Sequence, residues 1–229
     1  MSTFVLVHGA FRGGWAWSRL SPLLAAHGHR VEAPTLSPAA EGLGAWVDQV
    51  ASLLVEQDLR EVVLVGHSQG GVVVREVAVR LPERLRVLVY LDAAVPDAGE
   101  RAIDVAPSAP DAALLPARDA MVAPRALTPG ADLDAATARW VNERLVPTPF
   151  APSLDPGSML EPDVPAAYAF FAGTPAGYPC ATTRARLDAR GTAYDVLDGG
   201  HDAPLTRPEA VAGLLLRAAT TTRKEETTA

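Results

Sequence analysis

The chain predicts an α/β architecture, a mostly parallel, doubly wound sheet carrying one inserted helical cap. Three observations carry that expectation. Short β-branched runs alternate with longer stretches of helical periodicity, as parallel strands and their crossover helices require. A pentapeptide, Gly66-His67-Ser68-Gln69-Gly70, stands between an apolar strand pattern and a valine-rich helical one. The middle of the chain leaves the alternation for a stretch dense in proline and alanine.

The elements follow in order. Residues 4–7 are a fully apolar strand, and residues 19–27 place Leu20, Leu23 and Leu24 at helical spacing before Gly28 stops them. Residues 30–33 form a short strand closed by Pro34. In residues 43–59, Trp46, Val50, Leu53 and Leu54 share one helical face, with Asp48, Gln49, Ser52 and Glu56 opposite. A buried strand at 61–65, a helix at 70–81 ended by Pro82 and a strand at 87–91 complete the first half. Residues 1–95 and 166–219 are therefore expected to form the core, and 96–165 a cap over the C-terminal edge of the sheet. Helical fragments are expected at 111–122 and 132–145 within it, and Trp140, Leu145 and Phe150 favour packing over a solvated linker. Strands return at 167–172 and 194–197. A last helix starts near Thr206, where Thr206 and Glu209 have capping-box spacing. Residues 220–229 are polar and expected to be disordered.

Composition narrows the function. With 229 residues, 48% hydrophobic and 21% charged, the chain can bury a sizeable core. A net charge of −7 offers no basic stripe for nucleic acid and no attraction to an anionic membrane. Lys224 is the sole lysine. Cys180 stands alone, so no internal disulfide can form. The start, Met1-Ser2-Thr3, runs directly into a strand without signal-peptide features, which gives a cytoplasmic expectation. No zinc-type cluster, phosphate-binding loop or dinucleotide fingerprint is present in the sequence, so no metal and no cofactor is expected.

The chemistry concentrates on Ser68. A serine on a sharp strand–turn–helix junction has its hydroxyl lifted above the sheet, and small neighbours at Gly66 and Gly70 make that turn sterically feasible. The helix N-terminus behind it favours developing negative charge. A serine needs a base. His201, in Asp198-Gly199-Gly200-His201-Asp202 after the last strand, is the histidine placed to lean over the sheet edge. His8 and His67 sit inside turn sequences where packing is their role, and His27 and His29 flank a helix end at the surface.

His8-Gly9-Ala10, Gly13-Gly14-Trp15-Ala16-Trp17, residues 66–71, Tyr90-Leu91-Asp92-Ala93 and Gly200-His201-Asp202 together resemble the α/β-hydrolase superfamily. Within it they are most similar to the branch of plant methylesterases, hydroxynitrile lyases and bacterial esterase relatives. The resemblance covers about residues 4–95 and 194–216. It implies an α/β-hydrolase fold and an oxyanion hole built from the backbone N–H groups of Ala10 and Gln69, which geometry also favours. It leaves a homodimer open.

One departure stands out. The branch carries its acid shortly after the penultimate strand, yet residues 170–177 hold no carboxylate. Either Ser68 and His201 act as a dyad or the acid comes from elsewhere. Asp92, at the end of the strand after the Ser68 strand, is the candidate; Asp202 is too near His201 in sequence. Lyase chemistry in this branch uses a lysine after the catalytic histidine, and position 202 is Asp. The expectation is an esterase forming an acyl-enzyme on a small-molecule apolar or aryl ester, lactone or thioester. Its substrate pocket would be walled by Phe11, Trp15, Trp17 and Trp140. A cyclase or lyase on the same fold, and a slow-turnover ligand receptor, are the alternatives.

Overall fold

Apolar runs can be buried on both sides of a sheet only when each backbone N–H and C=O finds a partner in a neighbouring strand. The computed structural model describes residues 1–107 and 111–220, so the tail expected to be disordered lies almost wholly outside the described residues. Its strands are β1 (Thr3–Val7), β2 (Arg30–Glu32), β3 (Val62–His67), β4 (Leu85–Leu91), β5 (Met121–Val122), β6 (Thr148–Pro149), β7 (Ala166–Phe171) and β8 (Asp195–Leu197). Its helices are α1 (Ser21–Ala26), α2 (Leu43–Glu56), α3 (Gly70–Arg80), α4 (Ala135–Asn142), α5 (Ala151–Leu154), α6 (Cys180–Arg190), α7 (Ala203–Thr206) and α8 (Pro208–Ala218). Six strands make one sheet in the order β2-β1-β3-β4-β7-β8, and all its pairs are parallel.

Side chains alternate across this sheet and feed two cores. Val5, Val7 and Leu64 pack with Trp46, Val50 and Leu54 of α2 and Val73 and Val77 of α3. Phe4, Leu6, Val63 and Val65 pack with Leu24 of α1 and Val211 and Leu215 of α8 on the other face. Every residue of β3 is buried, which makes it the centre of the sheet. Each such aliphatic side chain contributes roughly 1.5–3 kcal/mol by leaving water.

Register places the site. His67 pairs with Leu91 and Val7 with Gly66, so Ser68 and Asp92 are the next residues off neighbouring strand ends. The loop 8–13 leaves β1 at the same edge. The insertion between β4 and β7 holds, among its described residues, β5, β6, α4 and α5, with β5 and β6 paired antiparallel.

Two expectations fail, and one helix was not anticipated. Residues 111–122 hold only a 3-10 turn at Ala112–Leu114 and strand β5, because Pro116 stands inside the stretch and its missing N–H and its ring break a continuous helix there. The capping box at Thr206 does not form. That hydroxyl donates to Asp132 instead (2.9 Å), and α8 begins at Pro208, whose fixed φ suits a first helical position. Helix α6 carries no sequence stripe that announces it: only Cys180, Thr183 and Leu187 are buried, and the rest are arginines, alanines, a threonine and an aspartate.

Candidate active site

The turn after β3 is made by close approach. A Cβ on Gly70 would lie 2.5 Å from the Val7 carbonyl oxygen, and one on Gly9 would lie 2.6 Å from the Ser68 Cβ. Only glycine lets the loop after β1 press against the serine. Ser68 itself has φ 54, a left-handed backbone that costs an L residue on the order of 1–3 kcal/mol. Its C=O accepts from Gly71 and Ala94, which hold the turn from both sides.

Asp92 takes a matching conformation at the end of β4, with φ 48, in a region aspartate tolerates better than most residues. Its side chain is 1% exposed. Oδ2 accepts from His201 Nδ1 at 2.5 Å and from the Thr174 hydroxyl at 2.6 Å, and Oδ1 accepts from the Phe171 N–H at 3.3 Å. Burial alone would push this carboxyl up; the His201 contact, Thr174 and Phe171 outweigh it and hold it below the usual carboxylate range. With Nδ1 donating to Asp92, a neutral His201 keeps Nε2 as its acceptor. Thr174 lies where a carboxylate was sought in the sequence, and it serves the aspartate from the neighbouring strand.

His201 is gripped on all sides. His67, the residue before Ser68, donates from Nε2 to the His201 carbonyl at 2.9 Å, and the two rings lie 4.5 Å apart. Burial keeps His67 well below the ordinary histidine range, so it is neutral. Tyr178 packs its ring 4.5 Å from that of His201. Asp132 of the insertion accepts from the Gly200 N–H at 2.6 Å and pins the loop that carries His201. Asp202, next in sequence, forms an ion pair with Arg12 and so joins the loop after β8 to the loop after β1. Arg12 also donates to the Ala10 carbonyl at 3.3 Å.

Cys180, at the start of α6, completes this corner. Its thiol is pushed up to about 12 by burial and by the Asp92 carboxylate beside it. Asp92, Cys180 and His201 bring one ligand atom each within 4.8 Å, a spacing compatible with a metal ion. Their chemistry suits hydrogen bonding better. The thiol is held protonated, and 2.5 Å between Nδ1 and Oδ2 is closer than the roughly 3.3 Å that zinc bonds of about 2.0 Å would set.

Among the described residues, no hydrogen bond is donated by the backbone N–H of Ala10 or of Gln69, so both amides are free. The neighbouring Phe11 is occupied: its N–H donates to the Thr148 hydroxyl at 2.6 Å. His8, one turn earlier, donates from Nδ1 to the Gly9 carbonyl (2.8 Å) and accepts from Leu36 at Nε2 (3.0 Å). Burial lowers it to about 4 and keeps it neutral.

The aromatic pocket expected at Phe11, Trp15 and Trp140 is not the cavity found beside this loop. That shallow cleft is lined by His8, Ala10, Leu36, Trp46, Gln69 and Thr148 among others, and by neither Ser68 nor His201. Trp15 and Trp140 instead pack on each other edge to face at 5.4 Å, which ties the loop after β1 to α4. Trp17 is buried in the core with its ring against His67. Thr174, Tyr178, Cys180, Arg12 and Asp132 are the members of the site that sequence reasoning missed. Thr174 lies inside the carboxylate-free stretch and Cys180 just after it, and both could have been weighed as donors to a carboxylate from another strand.

A parallel sheet with an elbow serine, a buried histidine–aspartate pair and two free amides at one edge defines an α/β-hydrolase. The profile described as "Alpha/beta hydrolase family" matches residues 4–214, and the chain belongs to that family. It is 40% identical over 118 residues to a carbendazim hydrolyzing esterase from Nocardioides sp. (strain SG-4G), 48% of this chain and 49% of that one. It is 41% identical over 106 residues to an alpha-hydroxynitrile lyase from Arabidopsis thaliana, 41% of this chain and 40% of that one. The chain thus spans about half the length of the curated relatives it matches, or less. Polyneuridine aldehyde esterase shares the fold at TM-score 0.76 and 21% identity, covering 95% of this chain and 98% of that one. A pyrethroid hydrolase from Sphingobium faniae JZ-2 does so at 0.72 and 21%, covering 95% and 97%.

Proposed function

We propose that the protein is a serine hydrolase that cleaves a small-molecule carboxylic ester through an acyl-enzyme. The observation that carries this reading is the Asp92–His201 pair at 2.5 Å, set at the sheet edge where Ser68 also stands. His201 Nε2 takes the Ser68 proton as Oγ attacks the ester carbonyl, and the developing oxyanion is received by the N–H groups of Ala10 and Gln69. Collapse expels the alcohol, protonated by His201, and leaves an acyl-Ser68 ester. Water, deprotonated by the same imidazole, then attacks the acyl carbon and frees the acid and Ser68. Asp92 fixes the Nδ1–H tautomer and stabilises the imidazolium without taking its proton. Residues 96–165 act as the cap that covers this edge, and the carbendazim hydrolyzing esterase among the relatives supports a small ester-like substrate.

A lyase reading has a relative behind it, but the residue after His201 is an aspartate neutralised by Arg12 and supplies no cation to a leaving anion. Ser68→Ala tests the proposal. A fluorophosphonate should label the parent on Ser68 alone, and the variant should lose both labelling and aryl-ester turnover, by on the order of 10⁶ in kcat. Turnover that persists in Ser68→Ala would sink the serine mechanism.

A further inference from the structure

The backbone of Phe11 is held in the left-handed region, φ 66, immediately after the Ala10 amide. A bulky L residue does not stay there unaided. Both of its backbone groups are held by the insertion: the N–H donates to Thr148 Oγ1 (2.6 Å), and the C=O accepts from the Val146 N–H (3.0 Å). On the other side of the proposed oxyanion hole, the Gln69 side chain donates from Nε2 to Ser153 Oγ at 2.9 Å. These anchors lie 137 and 84 residues away in sequence from the residues they hold. Both sit in one short segment, residues 146–153.

That segment is stiff. Pro147, Pro149 and Pro152 fix their φ angles, β6 pairs with β5, and the Phe150 N–H donates to the Ala120 carbonyl at 3.0 Å. Nothing in the local sequence of 8–11 accounts for the left-handed Phe11 backbone next to Ala10; its hydrogen bonds to the segment do.

We propose that segment 146–153 sets the oxyanion hole, with Thr148 positioning the Ala10 amide through Phe11 and Ser153 positioning Gln69 through its side chain. The inference rests on the serine-hydrolase reading and deepens it. Neither hydroxyl is catalytic. Each acts through a residue that carries, or adjoins, an oxyanion donor. The hole is complete only with the segment held in this place, against Phe11 and Gln69. Because an oxyanion develops in the transition state and not in the bound ester, misplacing its donors lowers kcat and leaves KM nearly alone.

The test compares Thr148→Val, which keeps shape and removes the hydroxyl, with Thr148→Ser, which keeps the hydroxyl, and with Ser153→Ala. Turnover of p-nitrophenyl acetate, the rate of fluorophosphonate labelling and the melting temperature are read on each. Thr148→Val should lose about tenfold in kcat, and slow labelling similarly, with KM within about twofold; this lies below the 10²–10³ lost when a donor is removed outright. Thr148→Ser should stay within about threefold of the parent, and Ser153→Ala should lose about fivefold in kcat. A kcat within twofold of the parent in Thr148→Val, an effect confined to KM, or a Thr148→Ser as slow as the valine variant would each overturn the proposal. Should Thr148→Val fail to fold, an unchanged kcat in Ser153→Ala overturns it alone. Activity surviving Ser68→Ala is a separate result that removes the hydrolase reading itself, whereas unchanged Thr148 and Ser153 variants in an enzyme silenced by Ser68→Ala remove only this inference.

Discussion

The end of β4 and the loop after β1 both hold a non-glycine residue in the left-handed region, Asp92 at φ 48 and Phe11 at φ 66, but they are held from different places. Among the described residues, the partners of the Asp92 carboxylate all lie outside the insertion: the Phe171 amide, the Thr174 hydroxyl, the His201 imidazole and the Cys180 thiol at the start of α6. The Phe11 backbone is held by Val146 and Thr148 of the insertion. The Asp92 carboxylate is over-determined by the core around it, because a buried carboxylate left short of donors would be driven to protonate. A neutral amide needs no such compensation and can be positioned by a remote segment. Changes at the first corner should therefore act through charge, and changes at the second through geometry.

Asp92→Asn probes the charge side and should have the largest effect in this comparison. An amide at this position favours the wrong tautomer of His201, so turnover should fall by about 10²–10⁴-fold with the fold intact. A loss of less than tenfold would mean that Ser68 and His201 act as a dyad, and the contrast between the corners would collapse.

The next effect belongs to the start of the β1 loop and appears in stability. His8 titrates near 4 in the folded protein and at 6.5 when unfolded, so the unfolded chain binds the proton more readily between those values. Stability is complete above pH 6.5 and falls as pH drops toward 4, by about 3 kcal/mol from this group at 1.36 kcal/mol per unit. Asp92 acts in the same direction lower down, since its depressed carboxyl withdraws stability only as pH falls below the ordinary carboxylate range. An NMR titration of the His8 ring checks the assignment. A midpoint near 6.5 would show that the loop is open to solvent.

Thr174→Val should act more weakly. It removes one charge-assisted donor from Asp92 Oδ2 while His201 and Phe171 remain, so kcat should drop about tenfold, near the lower end of the 1.5–3 kcal/mol such bonds are worth. Thr174→Ser should restore it. If serine fails to rescue, Thr174 serves packing and not the acid.

Much of this fold was legible because parallel strands leave a strong trace. The apolar runs at β1, β3 and β4 are buried on both faces, and amphipathic α2 shows its stripe. Elements with weak traces were misread. Helix α6 buries only three residues, and residues 111–122 gave apolar spacing with no helix behind it. Thr206 looked like a cap because spacing cannot tell which carboxylate a hydroxyl will meet, and it met Asp132.

By itself the sequence determined that an elbow serine follows a buried strand, that the one histidine after the last strand lies at the same edge, and that an aspartate ends the neighbouring strand. Those are statements about strand order and local turn chemistry, and both are written within a few residues. Only the tertiary structure decided that Asp92 meets His201, that Thr174 and Cys180 surround the acid, that Trp15 packs on Trp140, and that Thr148 and Ser153 reach the loops of Phe11 and Gln69. Contacts made across 84 to 137 residues depend on where residues 146–153 come to lie against Phe11 and Gln69, and no local spacing encodes that.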